Sequence, residues 1–148
     1  MKKIIIYTLL LFSFLIQNLI AQEIFLSLKK NTVNVRYGPS LDYPIKYIYK
    51  KINLPIKLID KKENFRRIID LKNNSGWIHV SQLKKSNSII ILEDKILFKK
   101  PSNFSKPLAK LEEGRMLIIK KCEINWCKVK TDTFFGWVKI DKIWGRIN

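Results

Sequence analysis

Histidine occurs once in this chain, at His79, and cysteine twice, at Cys122 and Cys127. A structural zinc site takes about four nitrogen or sulfur ligands. Two thiols and one imidazole fall short of that, and neither a metal nor another cofactor is expected. Catalysis lacks parts as well: His79 would need a serine or cysteine nucleophile and an orienting carboxylate beside it, while both cysteines lie in the other half of the chain. Acidic residues number 12 against 29 lysines and arginines. Of these, Glu112-Glu113 and Asp141 read as solvated carboxylates, because a pair working on a glycosidic bond needs a cleft that small barrels do not obviously provide. The chain is therefore read as non-enzymatic. No cysteine follows the apolar N-terminal run, which excludes lipid attachment at a mature N-terminal cysteine.

What the chain does have is a second copy of itself. Gly76-Trp77 is followed by alternating residues, and Gly136-Trp137 by the same pattern sixty positions later. Other landmarks keep step: Pro39-Ser40 with Pro101-Ser102, Pro44 with Pro107, Phe65 with Trp126, and Ile68 with Val129. Between the prolines and each Gly-Trp lies an apolar run of strand character, starting at Pro55-Ile56 in one copy and Met116-Leu117 in the other. Runs such as Ile45-Lys46-Tyr47-Ile48-Tyr49 and Phe65-Arg66-Arg67-Ile68-Ile69 are short, β-branched or aromatic, and bounded by turn residues. The fold class expected is all-β. Asn73-Asn74-Ser75-Gly76 reads as a turn, its asparagines and glycine tolerating positive φ. The polar stretch Lys84-Lys85-Ser86-Asn87-Ser88 marks the boundary between the copies.

Lys2 and Lys3 precede an almost unbroken apolar stretch at residues 4–16, then Gln17-Asn18 and Leu19-Ile20-Ala21. That order of charge, apolar run and small residue reads as a secretory signal peptide, residues 1–21, cleaved after Ala21. The alternative is a retained membrane anchor, but a span takes about 20 mainly apolar residues and Gln17-Asn18 interrupts this one. The reading places the protein in the periplasm, with membrane contact only if the segment is retained. Two domains remain, residues 22–85 and 86–148, each marginal alone and therefore expected to pack on the other. The net charge of +17 falls to +15 without Lys2 and Lys3. Such a surface attracts anionic partners. Export argues against nucleic acid, and lysines spread singly through both copies are equally a solvated surface.

Val33-Asn34-Val35-Arg36-Tyr37-Gly38-Pro39-Ser40, Tyr43-Pro44, Phe65-Arg66-Arg67-Ile68 and Gly76-Trp77-Ile78-His79-Val80-Ser81-Gln82-Leu83 together resemble a bacterial Src-homology-3-like (SH3) domain. The second copy, through Trp126-Cys127-Lys128-Val129, Gly136-Trp137-Val138 and Ile143-Trp144-Gly145, resembles the second half of a two-domain family of exported alphaproteobacterial SH3-like proteins. The resemblance implies two tandem small SH3-like β-barrels of about five strands each. It places Asn34-Val35-Arg36 at the start of a long loop, with Val35 inward and Arg36 bonding nearby carbonyls. A single 3₁₀ turn is implied at residues 79–82, and Leu83 opens the last strand. His79 then reads as a structural or surface histidine beside that turn. Gly76 is expected where a side chain would block strand approach. The second copy lacks the asparagine, arginine and glycine of this loop, so binding carried by the loop is expected in the first domain.

Aligned in this way, Cys122 and Cys127 flank a hairpin connection and face each other at about 5 Å, within reach of a disulfide. A redox-active pair would prefer a two-residue spacing and an activating neighbour. Tyr37, Tyr43, Tyr47, Tyr49 and Trp77 fall near the groove between loop and 3₁₀ turn, where flat rings suit an extended peptide or glycan. Tyr47 and Tyr49 share a strand face with Ile45 and equally fill the core, and Trp77 equally packs inward. The candidate ligand-binding set is Arg36, Tyr37, Tyr43 and Trp77. The expected function is a non-catalytic, exported binding module of the cell envelope that recognises peptidoglycan peptide or glycan. The alternative is a protein–protein adaptor or assembly subunit in the periplasm.

Overall fold

Short β-branched runs broken by turn residues favour many brief strands over a few long ones, and the computed structural model, which describes residues 23–146, is built that way. The signal peptide expected at residues 1–21 lies outside the described residues. The first half folds as β1 (Phe25–Leu28), β2 (Val33–Arg36), β3 (Ile45–Tyr49), β4 (Pro55–Lys62), β5 (Phe65–Ile69), β6 (Ser75–His79) and β7 (Leu83–Lys85). The second folds as β8 (Ser88–Ile91), β9 (Lys95–Phe98), β10 (Pro107–Leu111), β11 (Met116–Glu123), β12 (Trp126–Lys130), β13 (Phe135–Lys139) and β14 (Ile143–Trp144). Among the described residues the one helical element is a 3₁₀ turn, Val80–Gln82, capped by His79.

The first sheet runs β3-β2-β6-β5-β4-β1-β7 and the second β10-β9-β13-β12-β11-β8-β14, the same order strand for strand. Each barrel therefore has seven strands, against the five or so that the resemblance implies. Part of the difference is Asn34-Val35-Arg36, expected to open the loop but contained in the strand Val33–Arg36. With Val33 and Val35 fully buried and Asn34 and Arg36 turned outward, it pairs on both sides as β2, and the loop begins at Tyr37.

Finer detail repeats too. The β4–β5 ladder slips one residue between Leu58 and Asp60, and the β11–β12 ladder slips at the matching place, between Ile119 and Lys121. A bulge of this kind sharpens strand twist and helps curl a sheet toward closure. A Cβ on Gly76 would lie 2.4 Å from Val35 Cγ1, and one on Gly136 would lie 2.7 Å from Leu97 Cγ. Both glycines are thus fixed by the close crossing of a neighbouring strand. Each barrel fills its own interior: Leu28, Val33, Val35, Ile56, Ile68 and Ile78 in the first, and Ile89, Ile91, Leu97, Leu117, Val129 and Val138 in the second, all fully buried.

Three local expectations need correction. In the turn before β6 only Asn73 takes positive φ, 63°, while Ser75 and Gly76 already belong to the strand. The turn is held by Asp70, whose Oδ1 accepts the Lys72 and Asn74 N–H groups, both at 2.9 Å. Pro107 stands at the position of Ile45, not Pro44, because the N–H of Tyr37 bonds the Pro44 carbonyl as that of Lys99 bonds the Lys106 carbonyl. Finally, Lys84-Lys85 ends β7 and Ser88 begins β8, so the connection between sheets is only Ser86-Asn87, and Ser86 and Ser88 are buried.

That burial belongs to a seam between the barrels. The Trp144 indole donates to the Pro55 carbonyl at 3.0 Å, and its ring meets Phe25 edge-on at 5.2 Å. The Ser88 hydroxyl donates to the Asn53 carbonyl and lies 3.0 Å from the Ser27 hydroxyl, which donates to it in turn. On the far side of the second barrel Cys122 and Cys127 pair across β11 and β12 with Cα atoms 4.1 Å apart and form a disulfide. A disulfide fits an oxidising compartment.

Candidate functional site

The loop at residues 37–44 leaves β2 and returns as β3, and its shape is set by a side chain at its base. Arg36 lies outside the core because Val33 and Val35 take the inward positions of the alternation. Its Nη1 donates to the Leu41 carbonyl at 3.1 Å and to the Tyr43 carbonyl at 2.6 Å. The Asp42 N–H donates to Ser40 Oγ at 3.2 Å, and the Ser40 hydroxyl donates to Asp42 Oδ2 at 2.9 Å. Gly38 makes room for this packing: a Cβ on it would lie 2.5 Å from the Tyr43 ring, which rests against the bare backbone. The loop is thus ordered from within, yet keeps Tyr37 61% and Tyr43 47% exposed.

Strand pairing adds the floor. Arg36 stands opposite Trp77 across β2 and β6, and Trp77 opposite Arg67 across β6 and β5. Directly opposed residues share a face, so the three side chains line up on the outside of the barrel. Arg36, Tyr37, Lys46, Arg67, Ser75, Gly76 and Trp77 enclose a cleft of about 300 Å³. Lys46 bonds the Ser75 carbonyl at 2.9 Å and holds its ammonium 5.6 Å from the centre of the Tyr37 ring. Three cationic side chains and two aromatic rings thus face one space that no carboxylate lines.

Of the four candidate residues, Arg36, Tyr37 and Trp77 share this cleft. Tyr43 lies outside it, tied to it through Gly38 and Arg36. Trp77 is half-buried on the outer face, while its strand neighbours Gly76 and Ile78 point into the barrel. Tyr47 and Tyr49 turn inward against the first core. The Tyr49 hydroxyl donates to Asp70 Oδ2 at 2.9 Å. Burial, then the hydrogen bonds to Tyr47 and Asp70, hold that phenol far above its ordinary value. Ile45 does not share their face, because a register shift between Val35 and Arg36 leaves it 44% exposed. Lys46 and Arg67 were not anticipated. Their signal is strand alternation, which turns Arg67 outward beside Trp77 once the register is known.

A neighbouring hollow is lined by Pro39, Ser40, Leu41, Glu63, Asn64, Phe65 and His79. The His79 Nδ1 accepts the Ser81 N–H at 3.3 Å and lies 2.8 Å from the Ser81 hydroxyl, which places the ring proton on Nε2. Its ring packs edge-on against Phe65 at 5.2 Å. These are the contacts of a cap on the 3₁₀ turn. Among the described residues no group of three or more His, Cys, Asp or Glu side chains is placed to hold a metal ion.

The second barrel carries Phe98, Lys99, Lys128 and Trp137 where the first has Arg36, Tyr37, Arg67 and Trp77. Trp137 is 7% exposed, with the Lys121 ammonium 4.9 Å from its ring centre.

A family model described as "Bacterial SH3 domain" matches residues 29–85 and again residues 94–145. Among solved structures the chain is similar to NlpC2 from Trichomonas vaginalis, at 11% identity and a TM-score of 0.39, over 84% of this chain and 49% of that one. It is similar also to NlpC1 from the same organism, at 11% identity and a TM-score of 0.39, over 88% of this chain and 48% of that one. The chain spans about half the length of each of these structures. No match was found among curated proteins.

Proposed function

Because this chain belongs to the bacterial SH3 domain family, whose domains are generally non-catalytic binding modules, we propose that it is an exported module of the cell envelope that holds peptidoglycan peptide or glycan in the cleft of its first barrel. The observation that carries the reading is the meeting of three cations and two aromatic faces in one space with no carboxylate on its walls. Stem peptides bear carboxylates and sugar rings bear apolar faces. Lys46 and Arg67 attract the first by charge-assisted hydrogen bonds, and Tyr37 and Trp77 stack on the second. Arg36 serves chiefly by holding the loop, and Tyr43 offers a further exposed ring at the rim. In this reading the signal peptide is removed after Ala21, the mature protein is periplasmic, and the domains divide at residues 85 and 86.

The test is retention of residues 22–148 on purified sacculi at two salt concentrations, beside Trp77→Ala and Tyr43→Ala. Retention should fall about tenfold in Trp77→Ala, the cost of one lost stacking contact, and less in Tyr43→Ala. Retention that salt abolishes and neither substitution alters would leave only diffuse lysine attraction and refute the cleft. A periplasmic adaptor or assembly subunit is the second reading, favoured by the packed seam at Trp144, which gives the two barrels one joint surface. It predicts a discrete cross-linked partner in envelope preparations.

A further inference from the structure

The β9–β10 loop of the second barrel is a copy of the β2–β3 loop in backbone and its opposite in chemistry. The Lys99 N–H donates to the Lys106 carbonyl at 2.9 Å, as Tyr37 does to Pro44. The Phe104 N–H donates to Ser102 Oγ at 3.2 Å, as Asp42 does to Ser40. The Lys100 N–H bonds Ser105 Oγ at 2.9 Å, and the Ser105 N–H bonds the Ser102 carbonyl at 3.1 Å. The loop is pinned, and what it holds out is Phe104, 100% exposed. No Asp or Glu occurs from residue 95 to residue 111. Lys99, Lys100 and Lys106 flank the ring, all exposed and with no ion pair among the described residues.

We propose that this loop docks the protein on an anionic lipid surface, with Phe104 entering the headgroup–acyl boundary and Lys99, Lys100 and Lys106 meeting the phosphates. Phe104 is fully exposed and lines a wide-open hollow of about 350 Å³ with Lys99, Lys100, Ser102, Ser105 and Lys106, so a rigid peptide or glycan strand seated there would cover one face of the ring and leave the other wet. A fluid interface closes around it from all sides. The flanking cations have the sign and reach that an anionic leaflet rewards, each ammonium on a flexible stem beside an apolar wedge. The first barrel, with Asp42 at the position of Phe104, should not dock in this way. The proposal rests on a different barrel from the cleft and stands or falls independently of wall binding.

Vesicle co-sedimentation tests it. Residues 22–148, which carry the fourteen strands found among the described residues, are mixed with vesicles of phosphatidylcholine alone or with phosphatidylglycerol added, beside Phe104→Ser and the double variant Lys99→Glu, Lys100→Glu. All three positions are exposed, so folding is undisturbed, and circular dichroism verifies it. The expected result is partition onto the anionic vesicles only, reduced about tenfold in Phe104→Ser and at least as much in the double variant. No partition onto anionic vesicles overturns the proposal. Partition that Phe104→Ser leaves unchanged overturns it too, reducing the effect to general lysine attraction. A Phe104→Ser effect seen on sacculi but not on vesicles reassigns the loop to the wall.

Discussion

At the base of its long loop the first barrel places Arg36, and at the same point the second places Phe98. The consequence runs through both sites. The arginine ties the Leu41 and Tyr43 carbonyls into a loop that overhangs a cationic, aromatic cleft. The phenylalanine packs edge-on against Trp126 at 5.8 Å, and the loop above it is pinned by its own serines. Behind the loops the barrels differ again. Tyr47, Tyr49 and Asp70 form a hydrogen-bonded set in the first, where the second has Ala109, Leu111 and Thr131. Val33 of the first core is replaced by Lys95, which pairs with Asp141 at 2.9 Å and Glu93 at 3.2 Å. Strand order, bulge and crossing glycine are kept in both. The difference teaches that the backbone constrains few positions and leaves each copy free to stabilise and specialise itself by separate means.

The comparison is broken most severely at the seam. Trp144→Ala removes the hydrogen bond to Pro55 and the contact with Phe25, and should cost about 3 kcal/mol, as for other large aromatic truncations. Calorimetry should then show one cooperative transition in the wild type and two in the variant. One unchanged transition would mean that the barrels are coupled elsewhere.

Inside the first barrel the sensitive group is Asp70. It is 8% exposed and accepts hydrogen bonds from Lys72, Asn74 and Tyr49. Asp70→Ala orphans several of these donors at once and should cost about 2 kcal/mol. The Thr131 hydroxyl holds the matching turn through Phe134 alone, accepting its N–H at 3.0 Å and donating to its carbonyl at 3.4 Å, and Thr131→Ala should cost less than about 1 kcal/mol. Urea titrations measure both. Equal costs would show that the polar set in the first barrel adds nothing beyond the turn.

The repeat was legible in the sequence because the residues it turns on are constrained one at a time. Gly76 and Gly136 are imposed by a strand crossing too close for a Cβ, and alternation in β5 and β12 sets the buried partners around them. The cysteine pair was legible for the same reason, since a two-residue hairpin turn makes Cys122 and Cys127 opposite neighbours. The cleft was legible only in part. Arg36, Tyr37 and Trp77 stand in a recognisable motif, but Lys46 and Arg67 reach the same space through strand register, which local pattern does not encode. A bulge moved Ile45 out of the face that simple alternation assigns it. The connection at Ser86-Asn87 reads as a polar linker, yet Ser86 is buried and Asn87 half-buried because a second barrel closes over them.

The smallest expected difference is also the most selective. The carboxylates held below their ordinary values, Glu93, Asp94 and Asp141, all belong to the second barrel. Glu93 is lowered chiefly by its hydrogen bond from Lys142, then by Lys95. Asp141 is lowered chiefly by Lys95, and Asp94 by Lys110, then by the Glu113 N–H. A lowered folded value means that the unfolded chain binds protons first as acid is added. The stability from these pairs is therefore complete above the ordinary carboxylate range of about 4 and is lost as pH falls through the depressed values. All three carboxylates are solvent-exposed or nearly so, and the loss should be small and weaker in salt. Read by tryptophan fluorescence in the Trp144→Ala background, where the barrels should melt separately, acid should lower the midpoint of the second barrel more than that of the first. Lys95→Met should flatten part of that dependence by removing a partner of both Glu93 and Asp141, and parallel acid shifts in the two barrels would show that these pairs contribute nothing to folding.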